Sequence, residues 1–76
     1  MTKQEFLDEL AEIMQLDAPP NGDEALETFS EWDSMSNIAV MSMFDMEFGL
    51  TVTTDELRTV KTIPELIVLA GEHISG

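Results

Sequence analysis

The sequence predicts an all-α fold, a small four-helix bundle of three longer helices and one short one with a long first loop. Three observations carry that prediction: apolar side chains recur at helical spacing, capping residues stand at the heads of the segments, and Pro-Pro-Asn-Gly breaks the chain after the first of them. The 76 residues are read as one domain, residues 1–76. A chain of this size buries only about 60% of the surface its unfolded form exposes, so the core must be compact and well filled. A hydrophobic content of 43% suffices for that.

Residues 3–16 place Phe6, Leu7, Leu10, Ile13 and Met14 on one helix face, with Glu5, Asp8, Glu9 and Glu12 opposite. Thr2 followed three residues later by Glu5 predicts a capping box. Pro19-Pro20 and Asn21-Gly22 forbid continuation, which puts the expected end of this helix near Leu16 or Asp17. From Gly22 to Trp32 no period is sustained, but Leu26, Phe29 and Trp32 are spaced to pin a long loop onto the core, through one short turn of helix at most.

Residues 35–48 fit two patterns, because Ile38, Val40, Phe44, Met46, Phe48 and Leu50 at even positions would also suit a strand. Four Met, an Ala, no run of β-branched residues, and Gly49 placed as a C-terminal cap favour a helix of about four turns. After "LTVTT", Thr54 is expected to cap a short helix through "DELRTV", with Asp55 and Glu56 favourably in its first turn. Thr62 with Glu65 predicts a second capping box, Pro64 sits in the tolerated first turn, and Leu66, Ile67, Ala70 and Ile74 supply the inner face of the last helix.

Sixteen Asp and Glu against three Lys and Arg give a formal charge of -13, which repels phosphate backbones and anionic lipid. Nucleic acid and membrane are therefore not expected partners, and a protein with a basic face is the natural complement. The first residues carry charges at regular intervals and no apolar run long enough for a signal peptide or a membrane span, so a cytoplasmic monomer is expected. Zero cysteine excludes disulfides, thiolate metal sites and a protein-borne thiol nucleophile. Thiol chemistry here requires an imported thiol.

As a helix, residues 35–48 are apolar on two sides. Met41, Phe44 and Phe48, with Ile38 and Val40, form one stripe; Met35, Ala39, Met43 and Met46, with Ser42 among them, form another. Either the other helices enclose both, or the second stripe stays exposed as a docking surface whose flexible Met side chains adapt to a partner. The second reading is preferred, because one helix in so short a chain cannot easily bury both sides.

Asp33-Ser34 heads this segment, and both are ordinary capping residues. The functional reading makes Ser34 a covalent attachment point: a phosphate ester on its oxygen would lie against free backbone N–H groups and the positive end of the helix dipole. Ser34 lacks a Gly-x-Ser-x-Gly elbow, and the single histidine, His73, stands near the far end of the chain, so Ser34 is not read as a catalytic nucleophile. Asp17 to Thr28 superficially matches a calcium loop, but Pro19 replaces the third ligand and Thr28 the final Glu, so no metal site is expected.

Asp33-Ser34-Met35, then Ile38, Val40, the Asp45–Phe48 stretch closing as "EFG", the acidic helix at Asp55-Glu56, and "TIPEL" leading the last helix together resemble acyl carrier proteins. The resemblance covers nearly the whole chain and is closest from Trp32 to Leu69. It implies that a phosphopantetheinyl transferase moves 4'-phosphopantetheine from coenzyme A onto Ser34, with Asp33 its capping and recognition neighbour. The arm's thiol would hold acyl groups as thioesters, while acyl-activating, synthase or transferase enzymes do the chemistry and the chain itself is no enzyme. It further implies an acyl cavity walled by Phe44, Phe48, Val60 and Ile63.

Three departures qualify the match: Asp-Ser-Met for the usual Asp-Ser-Leu, Trp32 for a small residue before Asp-Ser, and Ala39 and Met46 where the second helix is normally acidic. They favour a dedicated, stand-alone carrier of a specialised fatty-acid, polyketide or related pathway. The alternatives are an aminoacyl or peptidyl carrier, and an unmodified acidic helical adaptor that binds through Met35, Ala39, Met43 and Met46. With so many like charges, added salt or magnesium is expected to raise the melting temperature. A melting temperature indifferent to both contradicts this reading of the charge.

Overall fold

The structure, a computed structural model, describes residues 1–75; Gly76, the last residue of the expected domain, lies outside the described residues. Four α-helices run in chain order: α1 Lys3–Met14, α2 Ser34–Phe48, α3 Thr54–Thr59 and α4 Ile63–Ala70. Two 3₁₀ turns, Leu26–Thr28 and Gly71–His73, complete the regular structure, and there is no strand among the described residues. Two isolated bridges tie distant segments together, Thr2 with Ser75 in parallel and Ala25 with Thr62 antiparallel.

Helix α1 opens with the expected capping box: the Thr2 hydroxyl accepts the Glu5 N–H at 3.1 Å, and the Glu5 carboxylate accepts the Thr2 N–H at 2.8 Å. Those bonds from Thr2, backbone first, hold the Glu5 carboxyl below its ordinary pKa. The helix stops at Met14, short of the expected Leu16 or Asp17. Gln15 turns left-handed (φ 56°), and the Leu16 N–H reaches back to the Ala11 carbonyl at 2.8 Å, so the chain closes its own helix end before the prolines are reached.

Helix α2 runs to Phe48 and ends at Gly49, whose φ of 68° suits a residue without a side chain. Its Val40 and Phe44 meet Phe6, Leu10, Leu26, Ile63 and Leu66 in the core, all fully buried. Phe44 stands edge-on to Phe6 (centroids 6.0 Å apart, 73°) and to Phe48 (5.2 Å, 80°). Such pairs contribute about 1 kcal/mol each beyond the apolar area they bury.

Thr53, one residue before the expected cap, heads α3. It is extended and stands three residues before Glu56, so the reciprocal box forms between these two, at 3.2 and 3.3 Å. At α4 the Thr62 hydroxyl accepts the Glu65 N–H at 3.2 Å, but the Glu65 carboxylate bonds the Thr62 hydroxyl rather than its backbone N–H, which leaves the expected box half formed. Ile63, Leu66 and Ala70 are the buried face of α4. Ile74, expected on that helix, packs on the core from beyond it, because the chain turns at Gly71 (φ 64°).

The long first loop is pinned as expected by Leu26, buried, and by the half-buried Phe29 and Trp32. Backbone bonds from Leu26 N–H to Lys61 C=O (2.9 Å) and from Ile63 N–H to Glu24 C=O (3.0 Å) clamp it to the connector between α3 and α4. Upstream, the Glu24 carboxylate accepts the N–H groups of Asn21 (2.9 Å), Gly22 (2.8 Å) and Asp23 (3.2 Å). Gly22 between them has φ of +108°, a conformation that favours glycine; the nearest atom to a Cβ there, Lys3 Cε at 3.0 Å, belongs to a flexible chain end that can move aside.

Burial raises the Glu24 pKa, but the backbone bonds at Asn21 and Gly22 outweigh it and hold the carboxyl below its ordinary value. A carboxyl depressed in the folded state stabilises above its unfolded pKa, and that contribution is lost as pH falls through the folded pKa. Glu24→Gln should therefore destabilise the chain in denaturant titrations at neutral pH, with the gap to the parent shrinking in acid. A gap independent of pH contradicts this account of the loop.

Candidate functional site

The N-terminus of α2 is fixed from both sides. Asp33 is extended and its carboxylate accepts the Ser36 N–H at 3.0 Å; the Ser36 hydroxyl, buried, donates to the Glu31 carbonyl at 2.6 Å. The second bond satisfies a buried polar group and stitches the loop to the first turn of the helix. On the loop side, the Trp32 N–H donates to the Phe29 carbonyl at 3.1 Å, and the Trp32 ring packs half-buried against the core. Ser34, the first helical residue, lies between these anchors and is exposed. No Asp or Glu lies in the first turn of α2, so beyond the cap itself the positive end of the helix is left without a neutralising carboxylate.

The second apolar side of α2 is open. Met35 is 78% exposed and Met46 82%, and Ser42 is exposed beside them. Ala39 is half-buried. Two assignments change. Met43, expected on the outer stripe, is 7% exposed and belongs to the core; Ile38, expected on the inner one, is 60% exposed. The reason lies in helical geometry: Ile38 and Val40, two residues apart, are about 200° apart around the axis and cannot share a face, whereas Met43 is rotated toward Val40. The sequence held that information in its spacing.

The residues expected to wall an acyl cavity pack closely here. Phe44 and Ile63 are fully buried in the packed core, and Phe48 is wedged between Phe44 and the His73 ring, which stacks on it at 5.4 Å and 25°. Of the four expected wall residues, Val60 borders an opening. Two open grooves flank α2. One, about 340 Å³, lies between the end of α1 and the start of α2, lined by Ile13, Met35 and Ala39 with Gln15, Glu31 and Asp33. The other, about 270 Å³, lies against the α3–α4 connector, where Trp32 and Asn37 face Val60, Arg58 and Lys61. Sequence reasoning missed the last two residues as site candidates; their visible signal was that they are two of only three cations in the chain.

No helix among the described residues is long and apolar enough to cross a membrane, and no three His, Asp or Glu side chains among them are arranged to hold a metal ion. Comparison with protein-family models, with curated proteins and with solved structures found no match. The geometry predicts that Asp33→Ala costs about 1 kcal/mol of stability in thermal or chemical denaturation, whereas Asp33→Asn, which keeps the accepting oxygen, costs a fraction of that. Equal losses for the two variants contradict the capping role.

Proposed function

We propose that the chain is an acyl carrier whose Ser34 bears a 4'-phosphopantetheine arm. One observation carries the reading: an exposed serine hydroxyl stands at the first position of α2, between the Asp33 cap and the buried Ser36–Glu31 bond, which fix the backbone around it. The residues fit the group. The uncapped N–H groups of the first turn and the helix dipole favour a phosphodiester at that oxygen, and Asp33 holds the turn open to a modifying transferase. When attached, the arm supplies the thiol that a chain without cysteine lacks, and acyl groups ride on it as thioesters. Met35, Ile38 and Met46 then form the face presented to acyl-activating, synthase or transferase enzymes, in a dedicated cytoplasmic carrier for a specialised fatty-acid, polyketide or related pathway that acts as a monomer and is not itself an enzyme.

The exposed Met35, Ile38 and Met46 also favour a second reading, an unmodified acidic adaptor that docks through this face. One experiment separates the two. Incubation with coenzyme A and a broad-specificity phosphopantetheinyl transferase should add a single arm to the intact mass, and Ser34→Ala should abolish the addition while leaving the fold intact. Absence of any addition, with a partner retained by Ser34→Ala and lost by Met46→Glu, supports the adaptor and refutes the carrier.

A further inference from the structure

In a chain of formal charge -13, two of the three cationic side chains, Arg58 and Lys61, line the same groove. Its buried lining is Leu26, Leu57 and Val60, and Glu27 is its one carboxylate. The frame is backbone: the Leu26 N–H to Lys61 C=O bond fixes the loop against the α3–α4 connector, so the apolar floor and the cationic side do not depend on a mobile segment. Arg58 is engaged only by Asp55, at 3.6 Å in an exposed pair, which leaves its guanidinium available. Asn37 borders the groove. Asn37 lies three residues after Ser34 on α2, so the groove opens beside the proposed tether. The groove on the opposite flank has the reverse sign, with Glu31 and Asp33 and no cation.

Resting on the carrier reading, we propose that this groove selects acyl groups that end in a carboxylate. Arg58 and Lys61 attract the terminal carboxylate, and the buried Leu26, Leu57 and Val60 cover the methylene segment. The surrounding surface repels such a cargo everywhere else, so the two cations also set where it lies.

The test needs no attached arm. N-acetylcysteamine thioesters of glutaric, pentanoic and 4-(trimethylammonio)butanoic acid are titrated into the full chain and followed by the emission of Trp32, its single tryptophan, and by the NMR signals of the Asn37 side-chain amide. The glutaryl thioester is expected to bind about fivefold more tightly than the pentanoyl one at low salt, the size that two exposed cations supply. Added salt, or the double substitution Arg58→Gln with Lys61→Gln, should erase the difference; both residues are exposed, so the fold tolerates the change. Equal binding of the glutaryl and pentanoyl thioesters, no binding of either, preference for the trimethylammoniobutanoyl thioester, or preference that survives the double substitution overturns the proposal. Tighter binding of dimethyl phosphate than of the glutaryl thioester reassigns the cations to the arm's phosphodiester and overturns it as well. A chain that takes the arm but shows no preference refutes the groove alone, whereas a chain that shows the preference but never takes the arm refutes the carrier reading and leaves the anion site standing.

Discussion

Helix α2 is apolar around most of its circumference, and a bundle of 75 described residues has neighbours enough to cover only one of its sides. That single constraint organises the rest. Val40, Met43 and Phe44 take the side facing the core, and the edge-on contact of Phe44 with Phe6 of α1 fixes how α2 is turned about its axis. With the rotation fixed, Met35, Ile38 and Met46 face solvent, and Asn37 borders the groove where the long loop meets the α3–α4 connector.

The acidic composition removes ion pairing as a means of holding the fold together. The one ion pair among the described residues, Asp55 with Arg58, is exposed and long, and contributes little. The carboxylates act locally instead, accepting backbone N–H groups: Glu5 at the head of α1, Glu24 in the loop, Asp33 at α2 and Glu56 at α3. Each satisfies a donor that the end of a helix or a turn leaves open. Cations are then free for other work, and two of the three border one groove.

Helix positions were legible in the sequence because their signals are local. The Thr2–Glu5 box, the Asp33 cap, Gly49 at the end of α2 and the apolar spacing of α1 each involve residues within a turn of one another. Errors arose where a signal competed with a stronger one nearby: Pro19-Pro20 suggested a longer α1 than the left-handed Gln15 permits, and Thr54 stood beside the better-placed Thr53. The Asp33 cap and the accessibility of Ser34 beside it were legible for the same local reason. The groove beside the α3–α4 connector was not, because it depends on the clamp between Leu26 and Lys61, 35 positions apart. Nothing in local spacing encodes it.

The central claim is that the hydroxyl at the tip of α2 tethers a thiol-bearing arm. It is tested most directly by mass mapping of the protein purified from the cells that make it. The account predicts phosphopantetheine on the peptide that contains Ser34 and on no other. A native protein that is wholly unmodified, or modified at a different residue, contradicts it.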